Sequence, residues 1–506
     1  MKLERPTYQK PLSMTGLGGG ATSLNFAGGG VIPKEYWMAT FGGNTAGGGA
    51  PTDTVGNDIA VDSVGNVYVT GYTRCTPSGR YAVVTAKFSA TGTLEWQRLW
   101  GSTASSAYDE GKAITVDGSD NIYVVGHADS NIGGFSGKGA LILKYNTSGT
   151  LQWERTFGYY DSEANGVDFD DDGNIYVGGR GQYNNWQFVA KFNSSGNIQW
   201  HRGLASGTQG HTGRDIAVDR NNDAVYVIGN TPYFGFYRSY DILLAKYNFS
   251  GTIQWHRTVN STSQGQDFPY GVAVDGQGYV YITGMTYQAS FTNPVHPQYG
   301  QFTSGSQDGF IIKWSSSGYV AAQKTFGGAG ASDNGYGVVT DSQNNIYIAG
   351  QSSAGLNYWS YGGNGVGTRG LIMKLTSPSY SGISSSWSNS LGSFSPGNNG
   401  SEEATRGITV DHENVAIYTV GATEYTGPGS KNMLITKLPP DGTKTGTYNS
   451  PHLPYAADPY GGELDSYSTN VDYSPGYTDS DKNVGTQTPS GSNPTGSLTS
   501  TTYVVS

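Results

Sequence analysis

The chain has 506 residues, with 29 Lys and Arg against 39 Asp and Glu, a net charge of −10, and charged residues at only 13%. Such a balance argues against nucleic acid as a main partner, because phosphate binding needs a basic surface. No apolar run approaches the length of a membrane span, and Cys75 is the only cysteine, so no intrachain disulfide can form.

Gly (77) and Tyr (37) are abundant, and no window of ten or more residues keeps a helical period, which points to many short strands and turns. Residues 1–34 read as an arm, since GLGGGATSLNFAGGG is too rich in glycine to hold regular structure without a partner. It is either a flexible leader or a docking peptide that orders on contact. The opening MKLERPTYQKPLSMTGLGGG lacks the apolar core of a signal peptide, and with the lone cysteine this points to assembly in a reducing compartment.

A strand-like segment follows at 35–43, EYWMATFGG. Its Trp37, Phe41 and Gly42 keep a spacing that returns at Trp96/Trp100/Gly101, Trp153/Phe157/Gly158, Trp200/Leu204, Trp255/Val259 and Trp387/Leu391/Gly392. In one copy Ala322 replaces the Trp while Phe326 and Gly327 are kept.

The clearest full unit is Gly111–Gly158. Two β-branched runs, 113–116 and 122–125, flank the turn cluster Asp-Gly-Ser-Asp-Asn at 117–121. A second pair, 140–145 and 151–157, is joined by Asn-Thr-Ser-Gly at 146–149. Together these make four antiparallel strands, a to d, and a lone sheet of this size buries too little to stand without neighbours.

The a–b hairpins recur seven times, marked by Tyr68, Tyr123, Tyr176, Tyr226, Tyr281, Tyr347 and Tyr418. Strand c follows each, marked by Lys87, Lys144, Lys191, Lys246, Lys313, Lys374 and Lys437. After the seventh c strand, Gly446 stands where Trp is expected, so the last unit lacks its own d strand while the N-terminus has one to spare. Placing 35–43 beside 434–438 shuts the ring and leaves no open sheet edge. The expected fold is all-β: a seven-bladed β-propeller of four-stranded antiparallel blades over 35–442, closed by an N-terminal outer strand and flanked by arms at 1–34 and 443–506.

The pattern VDxxGNxYVxG…KxxxxGxxxWxxxxG resembles the bacterial β-propeller repeat family SBBP and, more distantly, the NHL repeats; it covers about residues 36–440. The resemblance implies the fold strongly and the function weakly, because this scaffold occurs in varied surface and extracellular proteins.

Residues 443–506 are rich in Gly, Pro, Ser, Thr and Tyr. By composition the segment is disordered when alone. It is either a dangling linker or an arm that wraps a neighbouring subunit.

Strand order puts the a–b and c–d turns on one face of the ring and the b–c and d–a loops on the other. The first face is uniform, whereas the second varies in length and carries aromatics. Candidate binding residues there are Tyr183 and Trp186 (181–187), Tyr233, Phe234, Phe236, Tyr237 and Tyr240 (232–240), Tyr287 and Tyr299 (287–309), and Tyr358, Trp359 and Tyr361 (356–363). Tyr and Trp give large contact area at low side-chain entropy, with a polar tip. The same residues could instead pack their own loops.

The hairpin aspartates Asp62, Asp117, Asp170, Asp219, Asp275, Asp341 and Asp411 recur once per blade, as a turn-forming group does; a catalytic group is needed once. One copy departs: Asp168, Asp170 and Asp172 give DxDxDG, the opening of a calcium loop, although Gly179 stands where its last carboxylate belongs. The two readings are a Ca²⁺ site and an exposed acidic hairpin, the second favoured, and no other cofactor is expected. The seven histidines are scattered without metal-ligand spacing, and no GxSxG elbow, acidic glycosidase pair, phosphate loop or sialidase box occurs.

No catalytic residue is therefore assigned. The expected function is a structural and adhesive protein, a phage virion component of tail, fibre or baseplate type. One propeller face would recognise protein or host glycan, and the arms would hold it in an oligomer or larger assembly. GLGGGATSLNF is similar to leaders of marine phage structural proteins. The expected location is the virion, assembled in the host cytoplasm, with no membrane insertion. The alternatives are a bacterial surface or secreted propeller that binds carbohydrate or protein and, third, a polysaccharide-degrading enzyme.

Overall fold

The computed structural model describes residues 36–442 apart from 42–52, 75–80, 102–106, 130–137, 159–160, 182–185, 205–210, 233–239, 261–265, 288–306, 328–331, 353–367, 378, 380–381, 392–403, 412, 414 and 424–430, together with 478–480 and 486–487. Within them lie seven antiparallel sheets built on four strands each, and in six of them the four strands form a continuous meander. Blade 2 is the pattern for all: strands a to d are Glu110–Val116, Ile122–Asp129, Lys138–Tyr145 and Leu151–Phe157. Blades 1 and 3 to 6 span 54–100, 163–204, 212–260, 267–326 and 333–391. Short backbone pairings of Thr486–Gln487 and Thr478–Ser480 extend the outer edges of blades 3 and 4.

Blade 7 takes three strands from 404–438 and its outer strand, Trp37–Phe41, from the other end of the chain. Trp37 pairs with Lys437, Ala39 with Ile435 and Phe41 with Met433. The closure expected from the strand count is therefore present. The first strands of successive blades pack side by side in a cycle that returns from blade 7 to blade 1.

The core is divided into seven apolar clusters, one between each pair of adjacent blades. This explains the continuous apolar runs. Strand b is covered on both faces by neighbouring blades, so Ile122–His127 is buried throughout, whereas outer strand Leu94–Trp100 is largely wet. The cluster between blades 7 and 1 joins Trp37, Met433 and Ile435 to Val67, Val69 and Phe88.

Two devices repeat on the face of the a–b and c–d turns. In the first, the hairpin aspartate accepts turn amides and the hydroxyl of the strand-b tyrosine: Asp62 takes Val64 N (3.1 Å), Asn66 N (2.8 Å) and Tyr68 Oη (3.0 Å). Asp117, Asp170, Asp275, Asp341 and Asp411 hold their tyrosines the same way. In blade 4 the turn is one residue longer, and Asn222 Nδ2 meets Asp219 Oδ2 at 2.8 Å. The structure thus gives these aspartates the turn-forming role.

In the second, the strand-d tryptophan clasps the c–d turn of the next blade. Trp153 Nε1 and Lys144 Nζ both donate to Ser194 O, at 3.1 Å each, while Arg155 Nε donates to Gly196 O at 3.1 Å. The clasp crosses the chain termini as well, for Trp37 Nε1 donates to Ala90 O at 3.0 Å and Lys437 Nζ to the same oxygen at 3.3 Å. Where Ala322 replaces Trp, Lys313 lies 3.8 Å over the Tyr279 ring and donates to Ser377 Oγ and Ser379 O.

The clasp requires glycine in the turn. Gly149 has φ of 75°, and a Cβ there would lie 2.7 Å from Trp96 Cδ2. Gly149→Ala is expected to cost about 1–3 kcal/mol through backbone strain and a displaced ring. Gly118→Ala, with nothing within 4 Å of the added carbon, should be near neutral. Urea midpoints of the two variants check this.

Candidate recognition face at the channel mouth

Every inner strand carries a β-bulge at the same height, toward the b–c and d–a loops. The extra residue is Asn57, Lys112, Asn165, Arg214, Tyr270, Tyr336 or Arg406 in blades 1 to 7, and all seven are half-buried. A bulge re-aims one side chain out of the alternating pattern. Here it places one residue per blade around the axis.

Several of these residues touch the next blade. Arg406 Nη1 donates to Asn57 Oδ1 at 2.9 Å, and Asn57 Nδ2 donates to Glu110 Oε1 and Gly111 O, both at 2.8 Å. Asn165 Nδ2 donates to Gly213 O at 2.8 Å. Arg214 stands over the Tyr270 ring at 5.7 Å, and the Tyr270 and Tyr336 rings are 5.4 Å apart. Burial lowers the pKa of Arg214 and pushes that of Tyr270 up to about 12.

Three groups of buried ionisable residues surround this ring. At blades 2 and 3, Glu163 meets Arg180 (2.6 Å), Lys138 (3.3 Å) and His127 Nδ1 (3.9 Å). Burial alone would raise the Glu163 pKa, but the Arg180 hydrogen bond, His127 and the neighbouring cations bring it to about 2. Burial holds His127 neutral, with a pKa lowered to about 4. At blades 5 and 6, Asp308 and Asp333 are both buried, and burial with the Asp333 charge raises Asp308 to about 7. Along the inner strands, burial raises Asp58 to about 7 and Asp215 to about 8, against the backbone amides of Ile114 and Val272 that each receives.

Of the aromatics expected to form the binding surface, Trp186 opens a blade-3 strand and is half-buried, while Tyr240 and Tyr287 are 38% and 40% exposed. Phe268 lies between the last two, 5.5 Å from Tyr240 and 6.3 Å from Tyr287. Tyr183, Tyr233, Phe234, Phe236, Tyr237, Tyr299, Tyr358, Trp359 and Tyr361 lie outside the described residues.

Asp168, Asp170 and Asp172 are not brought together as ligands. Asp168 faces the next blade, where it accepts Val218 N at 2.8 Å and pairs with Arg220 Nη2 at 2.5 Å. Asp170 faces inward to Asn174, Tyr176 and Lys191, and Asp172 is exposed. Among the described residues no group of three or more His, Cys, Asp or Glu could hold a metal ion. The bulge residues escaped the sequence reading, although in every copy the residue is followed by Gly, Ala or Asp and then by Ile or Val.

The family described as Beta-propeller repeat (SBBP) matches residues 45–74, 95–134, 254–292 and 324–357. No curated protein sequence matches the chain. Among solved structures, the chain is similar to Kuenenia stuttgartiensis hydrazine synthase at 13% identity and a TM-score of 0.48, over 74% of this chain and 96% of that one. It is also similar to a PL25 ulvan lyase, a polysaccharide lyase, at 10% and 0.48, over 80% and 96%. A third is the β-propeller domain of the trilobed protease from Pyrococcus furiosus, at 11% and 0.41, over 79% and 97%. None of these likenesses bears on activity. A closed ring of seven four-stranded sheets, with the matched repeat recurring along it, makes this chain a seven-bladed β-propeller that carries SBBP repeats.

Proposed function

We propose that this chain is a non-enzymatic recognition propeller. The face of the bulges and variable loops binds a protein or glycan, and the arms at 1–34 and 443–506 hold the ring in a phage virion. The observation that carries the recognition role is a contrast between the two ends of the same strands. One end repeats the aspartate turn and the tryptophan clasp nearly blade by blade, as a scaffold must. At the other end one structurally equivalent position holds four residue types in seven blades. The scaffold repeats the first in nearly every blade and accommodates different residues at the second, so the variation fits a surface shaped by a ligand. Low charge and the Gly-rich and Tyr-rich arms support the virion setting.

An antibody to the ring should label intact phage particles in electron micrographs, and the purified chain should give a discrete oligomer by light scattering. Labelling of the bacterial envelope alone would transfer the recognition role to a surface protein. Release of reducing or unsaturated ends from polysaccharide by the purified chain would overturn the non-enzymatic part.

A further inference from the structure

Arg214 does nothing that the scaffold requires, because the same bulge position holds Asn, Lys or Tyr in five other blades. A half-buried guanidinium ordinarily meets a carboxylate. Among the described residues none lies within ion-pair distance of Arg214. The side chain is nevertheless fixed. Its Nε donates to Asn230 Oδ1 at 3.1 Å, and Asn230, 1% exposed, is itself held by Thr212 Oγ1 (3.3 Å) and by donating to Asp267 O (2.9 Å). Among the described residues this leaves the terminal nitrogens, the fork that grips a carboxylate or sulfate with two parallel bonds, unbridged by a carboxylate; Glu163 reaches Arg214 only through its charge at longer range, offset by the nearby Arg180.

Aromatic rings continue from that fork to solvent. Tyr270 adjoins it, Tyr336 lies 5.4 Å beyond Tyr270, and Phe268 joins Tyr240 to Tyr287 at the rim. Tyr240 is near enough to Arg214, and Tyr287 to Tyr270, for their charges to interact. Sugar rings lay their C–H faces on such tyrosines and hydrogen-bond their tips. The chain's net charge of −10 opposes ligands charged at every unit, such as an acidic peptide. A saccharide with isolated acidic groups meets that field least.

We propose that Arg214, Tyr270 and Tyr336, with Tyr240 and Tyr287 at the rim, bind an acidic saccharide. Its carboxylate or sulfate ester sits on the Arg214 fork, and its sugar rings lie against the tyrosines. This inference rests on the recognition reading of the same face.

Titration calorimetry of the full chain with a hyaluronan tetrasaccharide and a κ-carrageenan tetrasaccharide, each acidic on alternate sugars only, and with neutral cellotetraose and tetraglutamate tests it. At least one acidic saccharide should bind, with Arg214→Gln weakening it about tenfold or more and cellotetraose weaker by a similar factor. A carboxylate source is indicated by preference for the first probe, a sulfate source by preference for the second. The surface pair Tyr240→Ser and Tyr287→Ser should weaken the same probe several-fold at an unchanged urea midpoint, which keeps the test intact if Arg214→Gln does not fold. Binding of neither acidic saccharide, or binding untouched by both sets of variants, overturns the proposal. Equal affinity for cellotetraose overturns the acidic part while leaving a recognition face, and tighter binding of tetraglutamate overturns the saccharide. Particle labelling is read independently, so the wider functional reading can stand or fall separately.

Discussion

Trp37→Ala should lower the unfolding free energy by about 3–5 kcal/mol, the range for removing a large aromatic side chain from a core. Trp37 is 9% exposed and packs in the cluster that joins blade 7 to blade 1. The substitution removes its contact with the Phe88 ring at 6.3 Å, its bond to Ala90 O and its cover over the Gly92 turn. Trp96→Ala removes a similar clasp, yet Trp96 is only half-buried and sits inside a covalently continuous stretch. Its expected loss is smaller, about 1–2 kcal/mol. The difference matters because, of the seven d strands, only the one that Trp37 opens is remote in sequence from the rest of its blade. Losing that strand bares the 432–438 edge, while losing Trp96 leaves every ladder paired. Guanidinium unfolding followed by tryptophan fluorescence and by far-ultraviolet dichroism measures both. Equal losses for the two variants would mean that the ring gains nothing special from its closing strand.

Closure was legible in the sequence because it is a counting result. Strand b advertises itself by β-branched residues and a tyrosine, strand d by Trp and Phe four apart, and one d strand stands before the first a strand. The bulge was not legible in the same way. Inserting one residue in Thr54–Val61 leaves its ends apolar and its length ordinary, so Asn57 looks like a solvent-facing polar residue in a plain strand. Its partners, Glu110 and Arg406, come from the blades on either side. The same limit applies to Lys144. As a marker of strand c it is read directly, but its role appears only when Ser194 of the next blade is placed beside it. Asp168 shows the converse. Three alternating aspartates look like one ligand set along the chain, whereas the strand ends at Phe169, so Asp168 on the strand reaches the neighbouring blade and Asp170 closes its own turn. Local chemistry predicts turns well; contacts between blades depend on the ring.

Asp308→Asn is expected to stabilise the protein at pH 8 and to do so less and less as the pH falls to 5. Asp308 is 4% exposed and Asp333 is fully buried, and both approach Gly327, where an added Cβ would lie 3.0 Å from Asp308 Oδ1 and 2.6 Å from Asp333 Oδ2. Two buried carboxylates cannot both ionise cheaply, so Asp308 keeps its proton up to about pH 7. In the unfolded chain it loses that proton near 4. Between those values the native state holds more protons than the unfolded state, so the contribution of Asp308 to stability falls as the pH rises and is flat above about 7. The amide cannot ionise and escapes this loss, on the order of 2–4 kcal/mol at pH 8. His127 runs the opposite way: its pKa, lowered to about 4, removes stability as the pH falls from 6.5 toward 4. Asp58 and Asp215, raised to about 7 and 8, add slope of the same sign as Asp308. All three are common to both proteins, so the difference between variant and parent isolates Asp308. Urea unfolding of the pair at pH 5, 6.5 and 8 gives that difference directly. A constant difference would show that Asp308 is ionised throughout, and the two carboxylates would then need a cation between them.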